Sequence, residues 1–207
     1  MESWDVVVVG GGPAALRAAI ASADAGSSPL MIDSYGTGAS SGGAPTASLA
    51  ASIEETDSSA HLEDTIAAGG DSVNEGAATR ICSQAVSTLA ELEKWGLVLR
   101  RTDAGLPHAS EAPGHTRPRM TGCGDSTLRE VTRILEEQAI KRSIPRRTEI
   151  VPISLVMDNQ QVRGIVAFDL MTGQVVSIQA KAVILATAVS YTHLRAHETV
   201  LDLVCRL

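Results

Sequence analysis

The chain has 207 residues, 44% of them hydrophobic and 2% aromatic, with a formal net charge of −7. That length supports one domain, or one and part of another, around an aliphatic core of Val, Ile, Leu and Ala that needs no disulfides. The acidic balance argues against a binder of phosphate backbones, the lack of aromatics argues against a base-stacking platform, and no nucleic acid is expected as partner.

Trp4 and Asp5 lead into Val6, Val7, Val8 and Val9, a β-branched run without polar interruption. A strand buried on both faces of a parallel sheet reads this way. Because that strand begins at Asp5, no N-terminal signal is expected. Gly10, Gly11 and Gly12 follow, then Pro13, Ala14 and Ala15, opening a helix over residues 14–25 that Gly26 stops. Gly10, Gly12 and Ala15 occupy the three slots of G-x-G-x-x-G/A. That pattern serves a tight strand-to-helix turn, close approach of backbone to a pyrophosphate, and close packing of helix on strand. The N–H groups at the helix start then face the phosphate charge, and Pro13 sits where its missing N–H costs little. A second strand, residues 29–32, ends at Asp33, eighteen residues after Ala15. An acid there meets a ribose hydroxyl and repels a 2′-phosphate.

Ser34 opens a run of small and hydroxylated residues that includes Ser40, Ser41, Gly42, Gly43 and Thr46. Composition alone fits a flexible linker. Its position after the second strand favours a loop running beside a dinucleotide, where small residues let amides approach phosphates. A nicotinamide-binding domain would instead pass straight to its next βαβ unit, so this loop favours a flavin dinucleotide.

A short helix is expected over residues 47–53, then a helix over 60–68 capped by Ser58 or Ser59. A third, capped by Ser72 or Asn74, carries Ala78, Ile81, Cys82, Ala85, Leu89 and Leu92 on one face, with Cys82 in the core, and closes at Lys94-Trp95-Gly96. Residues 97–99 read as a short strand or extended segment. Residues 100–121 read as a long structured loop whose His108, His115, Arg117 and Arg119 either face an anion or stand in solvent. A helix starting at Asp125 or Ser126 buries Leu128, Val131, Leu135 and Ala139 and ends before Pro145. Strands follow at 149–157, 162–169 and 174–179, with turns at Asp158-Asn159 and Met171-Thr172-Gly173, and a last buried strand at 182–187.

The fold expected is therefore α/β: a Rossmann-like central parallel sheet with a helical insertion at about 47–142 and a β-meander at about 149–180, incomplete at its C-terminus. The insertion is read as part of one α/β domain spanning residues 1–187. Cys82, Cys123 and Cys205 are unclustered and read as reduced thiols rather than a disulfide frame or zinc site. No apolar run is long enough to span a bilayer, so no direct membrane insertion is expected. Residues 188–207 change character at Ser190-Tyr191-Thr192-His193-Leu194-Arg195-Ala196-His197-Glu198-Thr199. That string resembles the translated read-through of a sequencing adapter and is read as a non-native tail. His193 and His197 lack a third ligand, and no metal site is assigned.

Several stretches together resemble the flavoprotein subunit of succinate dehydrogenase and fumarate reductase and its relative L-aspartate oxidase. They are the Val-Val-Gly-Gly-Gly opening, the hydroxyl-rich loop, His61-Leu62-Glu63-Asp64-Thr65, Gly69-Gly70-Asp71, Glu91-Leu92-Glu93-Lys94-Trp95-Gly96 and Arg101-Thr102. Gly114-His115-Thr116-Arg117-Pro118-Arg119, Leu135-Glu136-Glu137-Gln138, the segment from Val162 to Gly173 and the strand ending at Ala186-Thr187 complete the likeness.

The resemblance implies FAD rather than NAD. The pyrophosphate would lie on Gly10 to Ala15, the ribose on Asp33, the loop Ser40 to Thr46 under the pyrophosphate and isoalloxazine, and the backbone near Val151 against the adenine. Members of membrane complexes carry a histidine in that loop, joined covalently to the flavin. Here the matching place reads Ser40-Ser41-Gly42, which implies non-covalent FAD. The family's substrate-binding groups and proton-donating arginine follow the Ala186-Thr187 strand end, so no catalytic residue is named in this chain. It is expected to be the N-terminal portion of a dicarboxylate oxidoreductase, inactive alone. The likeness also implies a small dicarboxylate substrate, an iron-sulfur partner subunit, and a cytoplasmic location at the inner face of a membrane through partner subunits. A non-catalytic dinucleotide-binding module is the competing class.

Overall fold

The computed structural model describes residues 2–36, 48–51 and 57–187. The expectations for Ser40, Ser41, Gly42, Gly43, Thr46 and the tail at 188–207 lie outside the described residues. The chain divides into two compact units, Met1–Gly43 with Leu135–Leu207, and Ala44–Ile134.

In the first unit, β1 (Ser3–Val9), α1 (Pro13–Asp24) and β2 (Pro29–Asp33) form the opening βαβ. The pattern explains the arrangement. Val7, Val8 and Val9 are all buried, although alternate residues of a strand face opposite ways, so both faces of β1 are covered. The helix α1 supplies Ala15, Leu16, Ala19 and Ile20, a buried stripe at helical spacing, and packs on β1 and β2.

After the insertion come β5 (Arg146–Thr148), β6 (Ile150–Asp158), β7 (Gln161–Asp169) and β8 (Gln174–Leu185). The sheet order is β5-β2-β1-β8-β7-β6, with β5, β2, β1 and β8 parallel and the β6–β7–β8 meander antiparallel. One apolar cluster runs through it, joining Val7, Val9, Leu30 and Ile32 to Ile150, Ile165, Ile178 and Val183.

In this unit two expectations need correction, and one strand was not anticipated. The strands placed at 174–179 and 182–187 are one strand. The first half of β8 pairs antiparallel with β7, and from Gln179 onward it pairs parallel with β1. Ala180 and Lys181 do not break it, because the ladder to β1 runs on past them, with Trp4 opposite Ala180 and Val6 opposite Ala182. The β6–β7 turn falls at Asn159-Gln160, both at positive φ, the mark of a two-residue hairpin loop, rather than at Asp158-Asn159. The strand β5 had no sequence signal, since Arg146, Arg147 and Thr148 carry no apolar alternation. Pairing with the open edge of β2 forms it.

The second unit holds α2 (Ser58–Gly69), a 3-10 turn at Gly70–Ser72, α3 (Glu75–Lys94), and the antiparallel pair β3 (Leu49–Ala50) and β4 (Met120–Thr121). The unit boundary falls inside α4 (Thr127–Lys141), whose buried side carries Val131, Ile134, Leu135 and Ala139. Asn74 caps α3 by accepting the Ala77 N–H at 2.9 Å. Cys82 is core, but Ile81, expected beside it, is exposed because it lies one step round the helix from the buried stripe. The helix expected at 47–53 is not formed where described: Leu49 and Ala50 pair with Thr121 and Met120. Local helix propensity yields there to a strand partner supplied by the stretch read as a loop. The residue at the N-cap of α2 is Asp57, not Ser58 or Ser59, and its side chain does not cap the helix.

Candidate dinucleotide-binding site

The site candidate in the first unit is the corner where β1 turns into α1. The Gly10 N–H donates to the Ile32 carbonyl at 2.8 Å, and the Ala186 N–H donates to the Val9 carbonyl at 2.8 Å. These bonds hold the ends of β2 and β8 on either side of the corner. The chain leaves β1 toward β2 on one side, while β8 lies on the other, so the corner is a switch point of the sheet, where α/β proteins bind ligands.

Gly10 has φ +129°, and a Cβ there would stand 2.3 Å from the Ala186 carbonyl oxygen. No other residue fits that conformation in that space. Gly12 is the N-cap of α1 in an extended conformation, Pro13 starts the helix, no side chain among the described residues caps it, and no acid occupies its first turn. The amides of Ala14 and Ala15 therefore belong to the set that a helix leaves without internal partners. They form a site for negative charge.

Asp33 ends β2 directly across from this turn. Its Oδ2 is buried and has no hydrogen-bond partner among the described residues. A Cβ on Gly11 would come within 2.5 Å of that oxygen. A small cleft here is bounded by Gly10, Gly11, Asp33 and Thr148. A buried carboxylate oxygen without a donor is costly, and a sugar hydroxyl is the kind of donor that satisfies it. Bare amides for a diphosphate and a lone acceptor for a ribose are the donor set a dinucleotide needs, so these residues fit FAD.

The remaining sequence candidates fall as follows. Ser34 is half-buried beside Asp33, Ala186 is half-buried and Thr187 exposed. Val151 is half-buried in β6 opposite Phe168 and does not line the cleft, whereas Thr148 does. Thr148 was missed because β5 gives no pattern of its own.

The second unit holds a denser polar cluster. Arg119 is fully buried. Its Nε donates to Asp57 Oδ2 at 3.2 Å, and its Nη1 donates to the Asp64 carboxylate and lies 2.8 Å from His115 Nδ1. Asp64 also accepts from the Thr116 N–H at 2.8 Å and the Thr116 hydroxyl at 3.0 Å. The Thr116 amide, then the Arg119 guanidinium, hold the Asp64 carboxyl down at about 2. Burial works against the Arg119 charge, yet Asp57 and Asp64 keep its pKa above the ordinary arginine value. His61 is buried with its Nδ1 unpartnered among the described residues, and its pKa is lowered by burial first, then by the charges of Arg119 and His115. Of the two readings of the 100–121 loop, Arg119 takes neither: it faces carboxylates of its own chain. Arg117 is exposed and 3.4 Å from Asp57. His115, Thr116 and Arg117 line an open cleft.

Residues 5–200 match the FAD binding domain family. The chain belongs to that family. FAD is accordingly its cofactor. The family match runs past Thr187, into the stretch whose character changes. The relatives carry names in accord. The chain is 30% identical over 190 residues to a fumarate reductase (CoM/CoB) component of Methanothermobacter marburgensis, covering 88% of this chain and 34% of that protein. It is 29% identical over 199 residues to a succinate dehydrogenase flavoprotein subunit of Rickettsia bellii, covering 90% and 33%. Among solved structures it is similar to the Mycobacterium smegmatis Sdh1 complex in the apo form, with a TM-score of 0.81, 26% identity, and coverage of 89% and 34%. An Escherichia coli quinol fumarate reductase gives a TM-score of 0.80 at 28% identity, covering 90% and 33%. The chain thus spans about a third of the length of the relatives it matches. The α/β fold and its mostly parallel sheet are those of these flavoproteins.

Proposed function

We propose that this chain is the FAD-holding N-terminal portion of a flavin-dependent oxidoreductase that interconverts succinate and fumarate, or a closely related dicarboxylate pair. One observation carries the reading: among the described residues, a helix start without a side-chain cap and a buried Asp33 oxygen without a donor meet across a glycine turn. The names of the relatives support the dicarboxylate class.

When bound, the flavin supplies hydride transfer to and from a substrate carbon. The chain's own residues do the holding. The amides of Ala14 and Ala15 face the pyrophosphate, with Gly10, Gly11 and Gly12 letting it approach. Asp33 accepts a hydrogen bond from the adenosine ribose and excludes a nicotinamide dinucleotide carrying a 2′-phosphate. Ser34 and the loop with Ser40, Ser41, Gly42, Gly43 and Thr46 flank the pyrophosphate and ring system, the backbone near Val151 meets the adenine beyond the cleft, and Ala186 and Thr187 close the other side of the turn. The histidine that some relatives bond to flavin has no counterpart at Ser40-Ser41-Gly42, so FAD is held without a covalent bond. That feature is shared with the aspartate oxidase branch and keeps an amino-dicarboxylate among the substrates to test.

The active protein is an assembly with an iron-sulfur subunit that takes the electrons, at the cytoplasmic face of a membrane. No helix among the described residues is long and apolar enough to cross a membrane. By itself, this portion binds flavin and does not turn over.

Flavin titration of the purified chain tests the reading. FAD should bind, NADP should not, and acid precipitation should release all the flavin into the supernatant. Succinate-dependent dye reduction should appear with the longer gene product and not with this chain. Absence of FAD affinity overturns the proposal, and flavin retained in the acid pellet overturns its non-covalent part.

A further inference from the structure

Gly11 occupies a slot that the dinucleotide pattern leaves to any residue. Nor does its backbone require glycine, since its φ is not positive. Space is what requires it. A Cβ at this position would lie 2.5 Å from Asp33 Oδ2 and 2.8 Å from Asp33 Cγ, with the Gly36 carbonyl oxygen at 3.1 Å. Turning the carboxylate about its Cβ–Cγ bond moves the oxygen and leaves Cγ where it is. Relief therefore demands a change at the Cα–Cβ bond of Asp33, which carries the whole carboxylate away from the cleft. The carbonyl of Gly36 is less crowded and needs only a few tenths of an ångström.

We propose that Gly11 is a positioning residue that keeps space for the Asp33 carboxylate and so sets the selectivity of the site for a dinucleotide with a free ribose diol. The inference rests on the FAD reading for its functional half. Its steric half stands without flavin.

The test is a double-mutant cycle on the full chain, read in two ways. Variants are Gly11→Ala, Asp33→Ala, Asp33→Asn, and Gly11→Ala combined with each. FAD affinity is measured by fluorescence titration, and thermal midpoints are measured without flavin. Gly11→Ala should weaken FAD about tenfold or more, the loss of one hydrogen bond to a charged group. In the Asp33→Ala background the same change should cost nothing further, because the clashing group is gone. In the flavin-free melts, Gly11→Ala should lower the midpoint of the parent and of Asp33→Asn, which keeps the clash, but not of Asp33→Ala. Should Gly11→Ala alone fail to fold, recovery of folding by Asp33→Ala is the supporting outcome and failure to recover overturns the proposal. Additive effects, or wild-type affinity in Gly11→Ala, overturn it too and leave the FAD reading standing. A parent chain that binds no FAD while the melts still couple removes the functional half and the FAD reading together, and keeps the steric one.

Discussion

Asp33 and Asp64 are the same residue type in opposite circumstances. Asp64 is saturated: an amide, a hydroxyl and the Arg119 guanidinium all donate to it. Asp33 leaves a buried oxygen with no donor among the described residues. The first pattern belongs to a polar core that specifies how its own unit folds, since the Arg119 guanidinium and the Asp57 and Asp64 carboxylates answer one another within the chain. The second is a cost that a hydroxyl donor from a ligand would relieve. The contrast teaches that these two acids are told apart by what remains unanswered on each rather than by how many charges gather. By count of charged residues the Arg119 cluster would look the more functional of the two.

The sharpest break of this contrast is Arg119→Ala. It strands two carboxylates, and loss of one partner from a buried charge pair costs about 3–5 kcal/mol. The expected result is a large fall in the urea midpoint; an unchanged midpoint would remove the cluster as scaffold. Asp33→Ala should do the reverse. FAD affinity should fall about tenfold to a hundredfold, in line with one charge-assisted hydrogen bond, while flavin-free stability holds or rises. Gly10→Ala, forced into a left-handed φ and against the Ala186 carbonyl, should cost about 1–3 kcal/mol of stability and reduce flavin binding as well.

Acid should separate the regions more gently. The Asp64 carboxyl titrates at about 2 in the folded chain against 3.8 for an ordinary aspartate. Its pKa is depressed by folding, so its contribution is complete above the unfolded value and is lost as pH falls through about 2. His61, also depressed, acts in the same direction below its ordinary value of 6.5, because the unfolded chain takes up the proton more readily. Denaturant midpoints should therefore decline as the solution is acidified, and Asp64→Asn should flatten the lower end of that profile. The smallest effect is expected at the exposed Glu130–Arg133 pair, where Glu130→Gln should change stability by less than about 0.5 kcal/mol.

The glycine corner was legible from residues alone. A strand of consecutive valines, three glycines, a small-residue helix and an acid at the next strand end are local demands of one ligand on one turn, and local demands are written in neighbouring residues. The helices α1, α3 and α4 were legible for the same reason, since a buried stripe imposes its own spacing. What lay beyond the sequence was set by partners far along the chain. Leu49 and Ala50 became strand because Met120 and Thr121 were there to pair with them, and Arg146 to Thr148 became strand because β2 had an open edge. Asp57 does not cap α2, for Arg119, 62 residues later, takes its carboxylate. The role of Gly11 was also hidden, because the atom that forbids a side chain there belongs to Asp33 and reaches it only once β1 and β2 lie side by side. Composition and periodicity determined the fold class and the candidate corner; long-range pairing and close packing decided which polar groups are spoken for and which are not, because backbone and charge seek partners in space, not in sequence.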